Sequence, residues 1–191
     1  IAIGKQALTE LTSGTQNVFI GSLGGDSITT GSNNVGIGGN TLATASVSSN
    51  NIAIGRDSLQ TSTKSNQVAI GFKALKLCST GEHNVALGYE ALENNETGDN
   101  LIAIGTTALN TNTTGASCIA IGRNALFTNS AGTQNIAIGQ QTMQTNSTGT
   151  DNIAIGHRSL EDNQQGALNV AIGSFALQKN VNSNNNVAIG H

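Results

Sequence analysis

The sequence predicts an all-β protein, a parallel β-solenoid of about eleven coils that takes up residues 1–191 as one repeat domain. Three observations carry this reading. The motif Asn135-Ile136-Ala137-Ile138-Gly139 returns, with small changes, twelve times. Ten of the eleven spacings between its closing glycines are 17 residues, and only Gly55 to Gly71 is 16. The composition lacks the usual material of a globular core: no Pro or Trp, 3% aromatic and 10% charged residues, against 24 Gly and abundant Asn. Low charge and few aromatics also occur in disordered chains, but those have no strict apolar period.

The first coil starts at Ile1-Ala2-Ile3-Gly4 and continues through Ala7-Leu8 to Gly14. The second is irregular, with Phe19 in the motif and Leu23-Gly24-Gly25-Asp26 where Ala-Leu is usual. The third has Val35-Gly36-Ile37-Gly38, and from Ile52 onward the pattern is regular apart from one deletion before Gln67-Val68. Every coil should hold a strand, because Ile/Val-Ala-Ile alternates with period two and β-branched residues suit a pleated surface. The branched pair is expected to point into the coil. The glycine after it suits a turn with positive φ or a close backbone approach. Ala-Leu, three and four residues on, is expected to begin a second strand.

Two columns of amides stand out. Seven residues after each motif glycine the chain reads Leu11, Ile28, Ala45, Ser62 and Cys78, then Asn95, Asn112, Asn129, Asn146, Asn163 and Asn180. The small and apolar members imply an inward position, so the six asparagines should form an internal ladder of amide bonds between coils. Asn95, Asn112 and Asn146 also begin glycosylation sequons, a role that an inward ladder would deny them. A second column, Asn17, Asn34, Asn51, Asn84, Asn135, Asn152, Asn169 and Asn186, precedes the branched pair and is interrupted by Gln67, Leu101 and Cys118.

The residue between the branched pair is Ala in ten of twelve copies. Read as outward, Ala53, Ala69, Ala86, Ala103, Ala120, Ala137, Ala154, Ala171 and Ala188 form a column too small for a solvated face. They are expected to meet copies of the same coil about a symmetry axis. Phe19 and Gly36 break the column in neighbouring coils as a large-small pair.

At Asn152-Ile153-Ala154-Ile155-Gly156 and its copies, over the whole chain, the sequence resembles the head repeats of YadA-like trimeric autotransporter adhesins. The Ala108-Leu109…Asn112-Thr113-Thr114-Gly115 extension is similar to β-roll repeats of phage-type tail fibres. The 17-residue period is longer than the usual head repeat of that adhesin family. The resemblance implies a left-handed β-roll, a homotrimer, and an extracellular structural role as the shaft or head of a cell-surface or virion fibre. The chain starts and stops inside the repeat, so a segment of a longer fibre protein is expected.

Chemistry is sparse. No nucleophile elbow, P-loop, dinucleotide fingerprint or histidine pair at metal spacing occurs, so no enzyme, metal or cofactor is expected. Leu23-Gly24-Gly25-Asp26 is similar to a calcium-binding nonapeptide but occurs once. A net charge of −3 without a basic run argues against nucleic acid, and no apolar run is long enough to span a membrane. Cys78 and Cys118 sit more than two coils apart and read as small buried hydrophobes. Glu82, Glu90, Glu93, Glu96 and Asp99 read as a solvated acidic face.

One edge invites recognition. The two positions after the motif glycine vary freely and include Arg56, Phe72, Tyr89, Arg123, His157, Arg158 and Phe175. Diversity on a rigid frame fits contact with a cell-surface glycan or protein receptor. Two readings compete with the fibre. One is an ice-binding solenoid, from outward rows such as Thr44-Ala45-Ser46, Thr61-Ser62-Thr63, Thr111-Asn112-Thr113 and Thr128-Asn129-Ser130. The other is a filament subunit that stacks on itself.

Overall fold

The computed structural model describes all residues, Ile1–His191, and contains strands and turns but no helix. The strands are β1 (Ala2–Ile3), β2 (Val18–Ile20), β3 (Val35–Ile37), β4 (Ile52–Ile54), β5 (Val68–Ile70) and β6 (Val85–Leu87). They continue as β7 (Ile102–Ile104), β8 (Ile119–Ile121), β9 (Ile136–Ile138), β10 (Ile153–Ile155), β11 (Val170–Ile172) and β12 (Val187–Ile189). They pair in sequence order into one parallel twelve-stranded sheet, like residue against like residue. At a strand spacing of about 4.8 Å, eleven coils reach roughly 50 Å.

The sheet is the only one. The Ala-Leu segment is not a second strand, contrary to the sequence expectation. It is a turn, because each coil carries left-handed residues two and four positions after the motif glycine. In the tenth coil these are Arg158 (φ 55°) and Leu160 (φ 49°). An extended strand cannot accommodate that conformation. The turns still bond from coil to coil: Leu92 N–H donates to Ala108 O (3.0 Å) and Asn94 N–H to Asn110 O (3.0 Å).

The motif glycines are required twice over. Gly139 has φ 136°, and a Cβ there would lie 2.4 Å from the carbonyl oxygen of Gly156 in the next coil. The 16-residue coil keeps its register, since β4 pairs Ile52 with Val68 and Ile54 with Ile70. The deletion is absorbed in the loop after Thr63. There Lys64 O accepts the Asn51 side-chain amide (3.1 Å), the part that Gly31 O plays for Asn17 (2.8 Å).

The core is a narrow column of Leu, Ala and Asn. Ala53, Ala69, Ala86, Ala103, Ala120, Ala137, Ala154 and Ala171 are fully buried and belong to one apolar cluster with Leu42, Leu75, Leu92, Leu109 and Leu126. Ala188, in the last coil, is partly buried and packs against the same cluster. This reverses the expected orientation of the strands: the Ala column faces in and the branched residues face out. The reason is volume. Inside the coil the Ala side is opposed by the Leu four residues after the glycine, and there is room for one large side chain between them. The second coil demonstrates it. There Gly25 stands at the Leu position and Phe19 at the Ala position, and the Phe19 ring fills the space. A Cβ on Gly25 would meet Phe19 at 2.8 Å, and one on Gly36 in the next coil would meet it at 2.3 Å.

Candidate functional site

Both amide columns are buried ladders. In the first, Asn112 Nδ2 donates to Asn95 Oδ1 (2.7 Å), Asn129 to Asn112 (2.8 Å), Asn146 to Asn129 (2.7 Å), Asn163 to Asn146 (2.8 Å) and Asn180 to Asn163 (3.0 Å). Each also donates to a carbonyl three residues on, as Asn129 does to Gly132 O (2.9 Å). Asn95, Asn112 and Asn146 are fully buried, so their sequons present no free amide. In the second ladder the side-chain oxygen accepts from the backbone N–H of the equivalent residue one coil later: Asn152 N–H to Asn135 Oδ1 (3.0 Å), Asn169 N–H to Asn152 Oδ1 (3.0 Å). Gln67 takes an Asn place in it, donating its backbone N–H to Asn51 Oδ1 (2.9 Å) and accepting from Asn84 N–H (3.1 Å).

Cys78 and Cys118 are free and buried. Burial pushes both thiols up to about 11, against the hydrogen bonds they receive from Asn95 and from the Asn135 backbone. They are inert packing groups within the amide columns.

Turning the strands over creates a surface that the sequence reading placed elsewhere. The outward pairs, from Val18 and Ile20 to Val187 and Ile189, run the length of the sheet as two unbroken columns of Ile and Val, with Leu87 as the only exception. Ile138 is 36% exposed and Ile155 37%, while the Ala residues beside them are at 0%. No charged side chain interrupts these columns. The signal that could have oriented them was the coincidence of Phe19 with Gly25 in one coil, which places the middle strand residue opposite the Leu position.

The variable edge is where the sequence put it, and it is partly organised. Phe72 and Tyr89 stack across adjacent coils with ring centroids 5.4 Å apart. Lys73 lies 3.3 Å from Glu90 and 3.2 Å from Glu93, and its amine sits over the Phe72 ring. Hydrogen bonds to Glu93 and then Glu90 raise the Lys73 pKa above its usual value; one to Glu90, with burial second, raises that of Tyr89. Four of the five acidic residues are therefore tied, with Glu82 on Lys64 (3.2 Å) and Asp99 accepting the Glu82 N–H (2.6 Å), while Glu96 is exposed as expected. Farther along, Phe175 packs between His157 (5.2 Å, edge-on) and His191 (5.6 Å, stacked). Arg158 reaches Glu161 (3.5 Å), Arg56 reaches Asp57 (3.4 Å), and Arg123 enters no ion pair.

The threonine rows face outward, yet their hydroxyls are committed to the fold. Thr61 Oγ1 donates to Lys76 O (3.0 Å), Thr111 to Phe127 O (2.9 Å), Thr128 to Gln144 O (3.0 Å) and Thr145 to Glu161 O (2.9 Å). They stitch one coil to the next. No group of acidic, histidine and cysteine side chains could hold a metal ion, and no helix is long and apolar enough to cross a membrane. Comparison with protein-family models, curated proteins and solved structures finds no match.

Proposed function

We propose that the chain is a structural segment of an extracellular fibre, the shaft or head of an adhesin or tail fibre, that works as a homotrimer and meets a receptor through its variable edge. The observation that carries this is the unpartnered Ile/Val face. Two columns about 50 Å long and roughly 10 Å across amount to some 500 Å² of flat apolar surface, near the upper end of what monomers expose. It approaches the roughly 800 Å² per partner of a stable interface. The occupant is two further copies of the same chain. A face with one repeat along its whole length is complementary to itself, and only an equally long apolar row covers it without leaving polar groups unpaired. Three copies, rather than two, come from the family resemblance. A thin coil has little core for its surface, and sharing these faces offsets that deficit.

The test separates the two strand faces. Ile138→Glu with Ile155→Glu puts like charges on the shared face and should dissociate the assembly while leaving each chain folded. Ala137→Glu with Ala154→Glu buries carboxylates inside the coil and should unfold it. Size-exclusion chromatography with circular dichroism reads both. An Ile138→Glu, Ile155→Glu variant that elutes with the wild type would remove the Ile/Val face from the assembly.

A further inference from the structure

Ring-bearing side chains are not spread over this chain. Apart from the buried Phe19, the half-buried Phe127 and His83, every aromatic ring and imidazole lies at the first or second position after a motif glycine. That edge changes character along its length. Through Glu90 its charges are mixed, Lys5, Arg56 and Lys73 against Asp57 and Glu90, and Arg56 and Lys73 are both paired. From Thr106 to His191 it carries Arg123 and Arg158 and no carboxylate, on a chain whose net charge is −3. Glu161 and Gln141 hold Arg158 in place from outside and within the edge, at 3.5 and 3.2 Å. Arg123 is exposed and unpaired. At the far end the stack of His157, Phe175 and His191 supplies an apolar surface, with Phe175 37% exposed.

We propose that this half of the edge binds a linear, carboxylate-bearing polysaccharide laid parallel to the solenoid axis. The inference deepens the receptor contact of the fibre reading and rests on it for access to such a polymer. The side chains recur at the coil rise of about 4.8 Å, close to the advance of one monosaccharide along an extended chain, so a periodic ligand meets a periodic surface in step. Arg123 and Arg158 match its carboxylates, with Arg able to bind both oxygens of one group. Gln141, between them, can exchange hydrogen bonds with hydroxyls. Phe175 and its flanking imidazoles offer π-surface to the apolar C–H side of a sugar ring.

The test uses the wild-type chain on immobilised polygalacturonate, alginate and hyaluronate, with dextran and dextran sulfate as comparisons, read by biolayer interferometry at low and physiological salt. The expected result is binding to at least one of the three carboxylate polymers and none to dextran. Arg123→Glu with Arg158→Glu should weaken it about tenfold or more, with the remainder screened by salt. Phe175→Ala should also weaken it, and Arg56→Glu, on the N-terminal part of the edge, should not. Binding to none of the three polymers overturns the proposal. So does binding that dextran sulfate matches and that Phe175→Ala leaves unchanged, since that is charge attraction alone. Sedimentation of the same samples separates the two claims. A monomer that binds as described refutes the trimeric fibre and keeps the site; a trimer that binds nothing does the reverse.

Discussion

At the scale of single residues, the fold rests on positions where one atom more or less decides. Gly139→Ala should cost about 3 kcal/mol or more, because it combines a φ of 136° with a backbone collision in the next coil. Urea denaturation would show it as a lowered midpoint. The Phe19 site makes a sharper case. Phe19→Ala should cost about 3–5 kcal/mol by leaving a cavity, and Gly36→Ala about 1–3 kcal/mol by overpacking against the ring. The double variant should be less destabilised than the sum, with a coupling above about 1 kcal/mol, and adding Gly25→Leu should restore a regular coil. Strict additivity in a double-mutant cycle would show that Phe19 does not occupy the space these glycines leave. The cysteines give a pH signature. With folded values of about 11 against 9.0 for a free thiol, burial of the neutral form stabilises the fold fully below pH 9. That contribution is lost as pH rises through 11. A Cys78→Ala, Cys118→Ala variant should therefore lose less thermal stability than the wild type between those pH values. Neither thiol should react with a disulfide reagent at pH 8 until the chain is unfolded.

At the scale of elements, a coil is one short strand, left-handed residues two and four positions after the motif glycine and two before the next strand, and up to two amide rungs. Asn129→Asp removes the donor to Asn112 Oδ1 and Gly132 O and leaves a buried carboxylate, at about 3 kcal/mol or more near neutral pH. Asn129→Leu should cost less, about 1–2 kcal/mol, because it buries no charge and the same column holds Leu11 and Ile28. Equal effects of the two substitutions in thermal melts would mean that the column is solvated. Much of this was legible in the sequence. The period, the parallel register, the inward amide column and the Phe19–Gly36 pairing follow from recurrence and residue size. Two things were not legible. Alternation with period two shows that Ala137 and Ile138 point to opposite sides but not which side is the core, and bulk alone favours the branched side. Volume decides otherwise, because Leu126 and Met143 already fill the coil. The Ala-Leu segment also looked extended, since nothing in Leu160 itself advertises φ 49°. That conformation goes with bonds to opposite neighbours, Arg158 N–H to Gln140 O (3.0 Å) and Leu160 N–H to Ala176 O (3.0 Å).

At the scale of the whole molecule, inverting the strand faces moves the surface available for assembly. A chain with its branched residues inside would offer small alanines to its neighbours. The chain as folded offers Ile and Val columns, a larger apolar area per coil and a reason to associate that a monomer does not satisfy. The variable edge lies outside the Ile/Val columns, free to carry rings and charge. The most direct measurement is the mass of the wild-type chain by sedimentation equilibrium at micromolar concentration. The account predicts one species at three times 19.3 kDa, reduced to 19.3 kDa by Ile138→Glu with Ile155→Glu. A wild-type chain that sediments at 19.3 kDa under those conditions would contradict it.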